Sequence, residues 1–123
     1  MKIYLCCPVR NADAKVKEEL DAYVRELEDA GHDVHYPPRD TDQGATGLKI
    51  CLQNTNAIRD CDEVHVWFDP ASTGSHFDLG AAFVLKKPLT IVHNIPFGEG
   101  KSFARMITEW EADTWNEMWR GKK

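Results

Sequence analysis

The chain has 123 residues, 42% of them hydrophobic and 28% charged, with a formal net charge of −5. That length suits one domain, 1–123, with its own core and no second lobe, and the composition excludes wholesale disorder. An acidic balance without a long basic run excludes the footprint of a nucleic-acid-polymer binder, but not a small phosphorylated ligand, which needs only one or two cations and some backbone N–H groups.

Residues 2–7 form a compact apolar run closed by Pro8, which suits a buried central strand. The run is far too short for a signal-peptide core or a membrane span, so the expectation is a cytoplasmic protein with no membrane partner. From Asp13 the period changes: Val16, Leu20, Val24 and Leu27 share one helical face, and Gly31 stands where a helix C′ residue belongs. Asp33-Val34-His35-Tyr36 reads as a short strand ended by Pro37-Pro38, and residues 37–47, rich in Pro, Asp, Thr and Gly, read as a loop. Leu48, Cys51, Leu52, Thr55 and Ile58 return to helical spacing, giving a second helix to about Asp60. A third strand covers residues 63–68, a turn residues 69–74, a third helix residues 75–86 and a fourth strand residues 88–92. After a Gly/Pro-containing loop at 94–100, Phe103, Met106, Ile107 and Trp110 mark an amphipathic helix, and Trp115, Met118 and Trp119 suggest a further turn or two. A fifth strand, if there is one, has to be very short and near 111–115.

Strands alternating with helices at this spacing imply βαβ units: a three-layer α/β sandwich, flavodoxin-like or Rossmann-like, with helices on both faces of a four- or five-stranded parallel sheet of order 2-1-3-4-5. Ligands of such folds sit outside the carboxyl ends of the strands. The four cysteines, Cys6, Cys7, Cys51 and Cys61, show no C-x-x-C spacing and read as reduced, partly buried thiols. His32, His35, His65, His76 and His93 have no zinc-ligand spacing, so no metal and no cofactor is expected.

The segment after the third strand, Asp69-Pro70-Ala71-Ser72-Thr73-Gly74-Ser75-His76-Phe77-Asp78, is the richest in chemistry. A strand ends, small residues turn the chain, and a helix starts whose N–H groups form a ready anion site. Ser72, Thr73 and Ser75 offer hydroxyls, and Gly74 lets a ligand approach the backbone. Alternatively, one hydroxyl simply caps the helix. Asp78, read as lying in the first helical turn, is favoured there as a carboxylate by the helix dipole, the form that a glycosyl-transfer nucleophile needs. Arg10 can reach a phosphate. His76 either touches a ligand or caps a turn, while Tyr4 and His65 read on their own as strand residues.

Two stretches carry a family likeness: Cys61-Asp62-Glu63-Val64-His65-Val66-Trp67-Phe68 running through Gly74-Ser75-His76-Phe77-Asp78-Leu79-Gly80 to Lys87-Pro88, and Tyr4-Leu5-Cys6-Cys7-Pro8-Val9-Arg10. With them the whole chain resembles the nucleoside 2-deoxyribosyltransferase superfamily, including its branch of nucleoside 5′-monophosphate N-glycosidases. The resemblance implies that Asp78 occupies the nucleophile's place, with Tyr4 near the sugar and Arg10, Ser72 and Gly74 at phosphate-holding positions. It also implies that Ser102 reaches the phosphate in a neighbouring subunit's site, hence a homo-oligomer with shared sites. The partner implied is a small-molecule nucleoside or nucleotide, with the loop at 37–47 near its base.

Two positions depart from the family. Its nucleophile is a glutamate, whereas Asp78 is one methylene shorter, and a misplacement on the order of 1 Å can cost roughly a hundredfold in rate. A second acidic residue falls at Asn54, and an amide cannot serve as general acid or base; Asp42 in the nearby loop is the candidate substitute. The reading is therefore N-glycosidic cleavage of a nucleoside 5′-monophosphate, or deoxyribosyl transfer, through a glycosyl–carboxylate intermediate. The rival is a non-catalytic nucleotide-binding or sensing domain of the same fold. Flavin binding or phosphoacceptor signalling rests on fold analogy alone, and the first strand lacks a receiver domain's acidic cluster.

Overall fold

A computed structural model describes residues 1–10, 12–93 and 98–116. Its elements are β1 (Lys2–Cys6), α1 (Ala14–Asp29), β2 (Asp33–His35), α2 (Pro37–Asp40), α3 (Gly47–Asp60), β3 (Glu63–Val66), α4 (Thr73–Val84), β4 (Leu89–Ile91) and α5 (Phe103–Thr114). The strands form one parallel sheet in the order β2-β1-β3-β4, as the alternation of periods predicts.

Short polar side chains start the longer helices. Asp13, Thr46, Ser72 and Ser102 each accept a hydrogen bond from the backbone N–H three residues on, satisfying donors that the first turn leaves without partners. Helix α1 ends at Gly31, whose φ of 94° a residue with a Cβ adopts only with strain. There Gly31 N–H donates to Glu28 O and His32 N–H to Leu27 O, the paired bonds of a Schellman ending.

Alternate strand residues feed two cores. Ile3 and Leu5 pack with Cys7, Leu20, Val24, Val34 and Tyr36 beneath α1. Tyr4 and Cys6 face the opposite side, with Val64, Val66, Leu89, Ile58 of α3, Leu79 and Ala82 of α4, and Ile107 and Trp110 of α5. Helices thus cover both faces, making the expected three layers. Strand order reverses between β1 and β3, where the loops that follow them part and leave a crevice at the sheet's C-terminal edge.

Three expectations need correction. Residues 37–47 are not all loop, because Pro37–Asp40 form the short helix α2. Proline is tolerated in a first turn, and Asp40 Oδ2 accepts the Tyr36 N–H at 2.8 Å, so the two prolines start a helix here. Helix α4 starts at Thr73 rather than residue 75, because Ser72, and not a later residue, supplies the cap. Residues 111–114, offered for a fifth strand, belong to α5; among the described residues the sheet has four strands. Trp115 is exposed at the end of α5, while Met118 and Trp119 lie outside the described residues.

Candidate active site

The crevice between the β1 and β3 loops is a cleft of about 290 Å³. Cys7, Val9 and Arg10 line it after β1, Pro37 and Gln43 after β2, Gly47, Ile50, Cys51 and Asn54 from α3, and residues 71–75 with Asp78 from the start of α4. The buried stripe of α4 is Ser75, Asp78, Leu79 and Ala82, the spacing of a core-facing helix side. Two polar residues occupy the N-terminal half of a stripe that packing alone would fill with apolar ones. Asn54 does the same on α3, where it is 8% exposed.

Asp78 is likewise 8% exposed, and the Tyr4 hydroxyl donates to its Oδ2 at 2.8 Å. Burial pushes the Asp78 carboxyl up to about 6, against the downward pull of the Tyr4 hydrogen bond. This corrects the dipole argument. Counting from Thr73, Asp78 is in the second turn of α4, and the dipole's effect falls off within the first. Desolvation, which disfavours the charged form, decides instead. The group is still largely a carboxylate at pH 7, with Oδ2 held by Tyr4 and no hydrogen bond to Oδ1 among the described residues. Burial, followed by the Asp78 charge, holds the Tyr4 phenol well above its ordinary range, so it stays a neutral donor. The same two causes push Cys7 up to about 12, which leaves its thiol uncharged and a poor nucleophile.

At the other end of the cleft, the first turn of α4 presents Thr73 and Gly74. A Cβ built at Gly74 meets nothing within 4 Å, so no packing demands a glycine there, and its missing side chain leaves room in the cleft that it lines. Ser72 Oγ accepts from Ser75 N–H at 3.2 Å and lies 2.8 Å from Ser75 Oγ, to which it donates. One hydroxyl proton of the pair is thus committed within the helix start, and the other is left to offer. Arg10 is exposed at the cleft's rim.

Asp78, Asn54, Arg10, Ser72, Gly74 and Ser75 therefore share one cleft, with Tyr4 touching it through Asp78. Three other candidates lie elsewhere in this chain. His76 Nδ1 donates to Ser72 O at 2.7 Å, and its ring packs edge-on against Phe68 and Phe103, away from the cleft lining. Asp42 is exposed and accepts from Gly44 N–H at 3.0 Å. Ser102 caps α5. Sequence reasoning set the loop at 37–47 near a ligand without naming Gln43 or Thr41, and it missed Ile50 and Cys51 as cleft residues and His35, which stands behind Thr41 and Asn54. Helical spacing gave a signal for Ile50 and Cys51, one turn before Asn54. Thr41 meets Asn54, and His35 meets Thr41, only through the fold.

The family model for nucleoside 2-deoxyribosyltransferase matches residues 3–104. The chain belongs to this family. No curated protein matches the sequence significantly. Among solved structures, the nucleoside 2-deoxyribosyltransferase fold of this chain is similar to a 2-deoxyribosyltransferase from Bacillus psychrosaccharolyticus, with a TM-score of 0.68 at 19% identity over 95% of this chain and 93% of that one. It is similar to the CMP N-glycosidase of Clostridium botulinum, with a TM-score of 0.55 at 20% identity over 74% and 70%. It is also similar to a 2-desoxiribosyltransferase from Leishmania mexicana, with a TM-score of 0.57 at 22% identity over 78% and 67%. In this family member no described helix is long and apolar enough to cross a membrane.

Proposed function

We propose that the protein cleaves the N-glycosidic bond of a nucleoside 5′-monophosphate, with Asp78 as the nucleophile. The observation that carries this reading is the Tyr4–Asp78 pair: a buried carboxylate lining the cleft, with one oxygen held by Tyr4 and the other without a partner among the described residues. Asp78 Oδ1 attacks the anomeric carbon as the C–N bond breaks, and the base leaves with the bonding pair and takes a proton from solvent water. The resulting glycosyl ester is then hydrolysed by water, with retention at that carbon. If a second base takes the place of water, the same intermediate gives deoxyribosyl transfer.

The phosphate would lie at the start of α4, where Gly74 leaves space and the N–H groups and Ser75 hydroxyl converge, with Arg10 closing over it. Binding energy from this remote group would hold the sugar over the shorter Asp78 side chain. These residues favour a monophosphate, and with it hydrolysis, over a bare nucleoside. A homo-oligomer fits the same reading. Phe83 and Phe103 are 49% and 61% exposed and border an apolar groove between α4 and α5. A second copy seated there would meet Ser102, next to Phe103, and bring it towards a shared site.

The test is release of free base from a panel of nucleoside monophosphates, followed by chromatography across pH. The rate is expected to rise with pH through about 6, as Asp78 ionises, and to vanish in Asp78→Ala. Undiminished release in that variant would overturn the assignment. Tight binding without any turnover would leave a nucleotide-binding domain in place of a glycosidase.

A further inference from the structure

Three polar side chains run in a line from β2 to α3 behind the cleft. His35 Nε2 lies 2.9 Å from Thr41 Oγ1, and that hydroxyl donates to Asn54 Oδ1 at 2.6 Å. A threonine hydroxyl has a single proton to donate. Because Thr41 gives it to Asn54, its oxygen can only accept from His35, and His35 must donate through Nε2–H. Burial lowers the His35 pKa from 6.5, so the ring carries one proton at neutral pH, and this geometry places it on Nε2. The ring is also held flat against Tyr4, with centroids 5.4 Å apart and planes 9° from parallel.

The consequence falls on Asn54. Its oxygen is turned to Thr41, so its NH2 is the group left for a ligand in the cleft that it lines. The wall around it, with Gly47, Ile50, Cys51 and Pro37, is mostly apolar and suits the flat face of a base. We propose that the His35–Thr41–Asn54 relay makes Asn54 a fixed hydrogen-bond donor to the base, so that the cleft selects an oxo group over an amino group at that edge. This rests on the nucleotide reading above and adds its base class. An amino group set against this NH2 leaves two donors facing each other, a mismatch worth about ten- to a hundredfold in affinity.

Two measurements test it. In the ligand-free protein, the 15N resonances of His35 are expected to report the Nε2–H tautomer; the Nδ1–H tautomer would overturn the relay whatever ligand binds. Calorimetric titration then compares inosine with adenosine monophosphate, and uridine with cytidine monophosphate, in each case an oxo base against its amino counterpart. The parent protein is expected to favour the oxo member of at least one pair by about tenfold or more. Thr41→Val, which removes the hydroxyl, and His35→Phe, which keeps the stack on Tyr4 but not the donor, should both bring that ratio towards one, because Asn54 can then turn over. Equal binding of both members, or a preference that survives both variants, would refute the relay while leaving the nucleotide reading intact. Failure of every nucleotide and nucleoside to bind would instead remove that reading, and this inference with it.

Discussion

Burying a carboxylate costs free energy unless donors replace the water it loses, and at Asp78 the Tyr4 hydroxyl replaces only part of it. The sign of the resulting pH dependence follows from linkage. The folded-state pKa, about 6, lies above the ordinary 3.8, so between these values the folded protein holds a proton that the unfolded chain releases. Stability from this group is therefore full below about pH 4 and is lost as pH rises through 6. At about 1.4 kcal/mol per pKa unit, the ionised form costs roughly 3 kcal/mol at pH 7. Asp78→Asn keeps an acceptor for Tyr4 and removes the charge, so it is expected to raise Tm by several degrees at pH 7. Differential scanning calorimetry should show that gain shrinking to nothing as pH falls towards 4. A variant no more stable than the parent at pH 7 would mean that the carboxylate is solvated after all. Such a gain alongside lost base release would mark Asp78 as a residue kept for chemistry at the expense of stability.

At the scale of elements, periodicity and end signals make the three-layer fold readable in the sequence itself. Val16, Leu20, Val24 and Leu27 gave α1, Gly31 its end, and the apolar run at 2–7 the central strand. Element ends were less legible, because caps are chosen by local hydrogen bonding: Ser72, not Ser75, precedes α4, and Pro37-Pro38, a breaker in most settings, opens α2. Of the site, the segment from Ser72 to Asp78 was readable from its own residues, Arg10 from its place after the first strand, and Tyr4 and Asn54 through the family likeness. Thr41 and His35 were not, since Thr41 meets Asn54, 13 residues further on, only in the fold, and His35 reaches Asn54 only through Thr41. Helix α4 itself offers a separable test. Glycine within a helix costs up to about 1 kcal/mol relative to leucine, and a side chain at position 74 would meet open space. Gly74→Leu is thus expected to leave Tm unchanged or slightly higher, while weakening nucleoside monophosphates by about tenfold or more, at a cost of about 1.4 kcal/mol, as the leucine fills the cleft. Thermal melts and titrations on one sample check both halves. A fall in Tm with affinity unchanged would make Gly74 a packing residue and remove it from the site.

The molecule as a whole leaves large apolar side chains in water. Phe77, Phe83, Val84 and Phe103 are 55%, 49%, 78% and 61% exposed, and they belong to α4 and the start of α5. Single exposed hydrophobics are ordinary, but a contiguous apolar patch points to an interaction surface. Here Phe83 and Phe103 share a groove with Leu79, Met106 and Ile107. A closed, two-fold dimer would set the same patch against itself, burying both phenylalanines and placing each Ser102 hydroxyl at the boundary between copies. Size-exclusion chromatography with light scattering is then expected to give a dimer or larger assembly, and Phe83→Glu with Phe103→Glu to give a monomer, because two charges per copy would have to be buried without partners. These two positions lie outside the Asp78 cleft, so a monomer made this way should keep its fold. If Ser102 supplies the phosphate contact proposed for it, the affinity of that monomer for a monophosphate should nevertheless fall, with little change for the corresponding nucleoside. Equal loss for both ligands would place the effect on the cleft's shape instead, and a parent protein that is monomeric at every concentration would show that each cleft works without a neighbour.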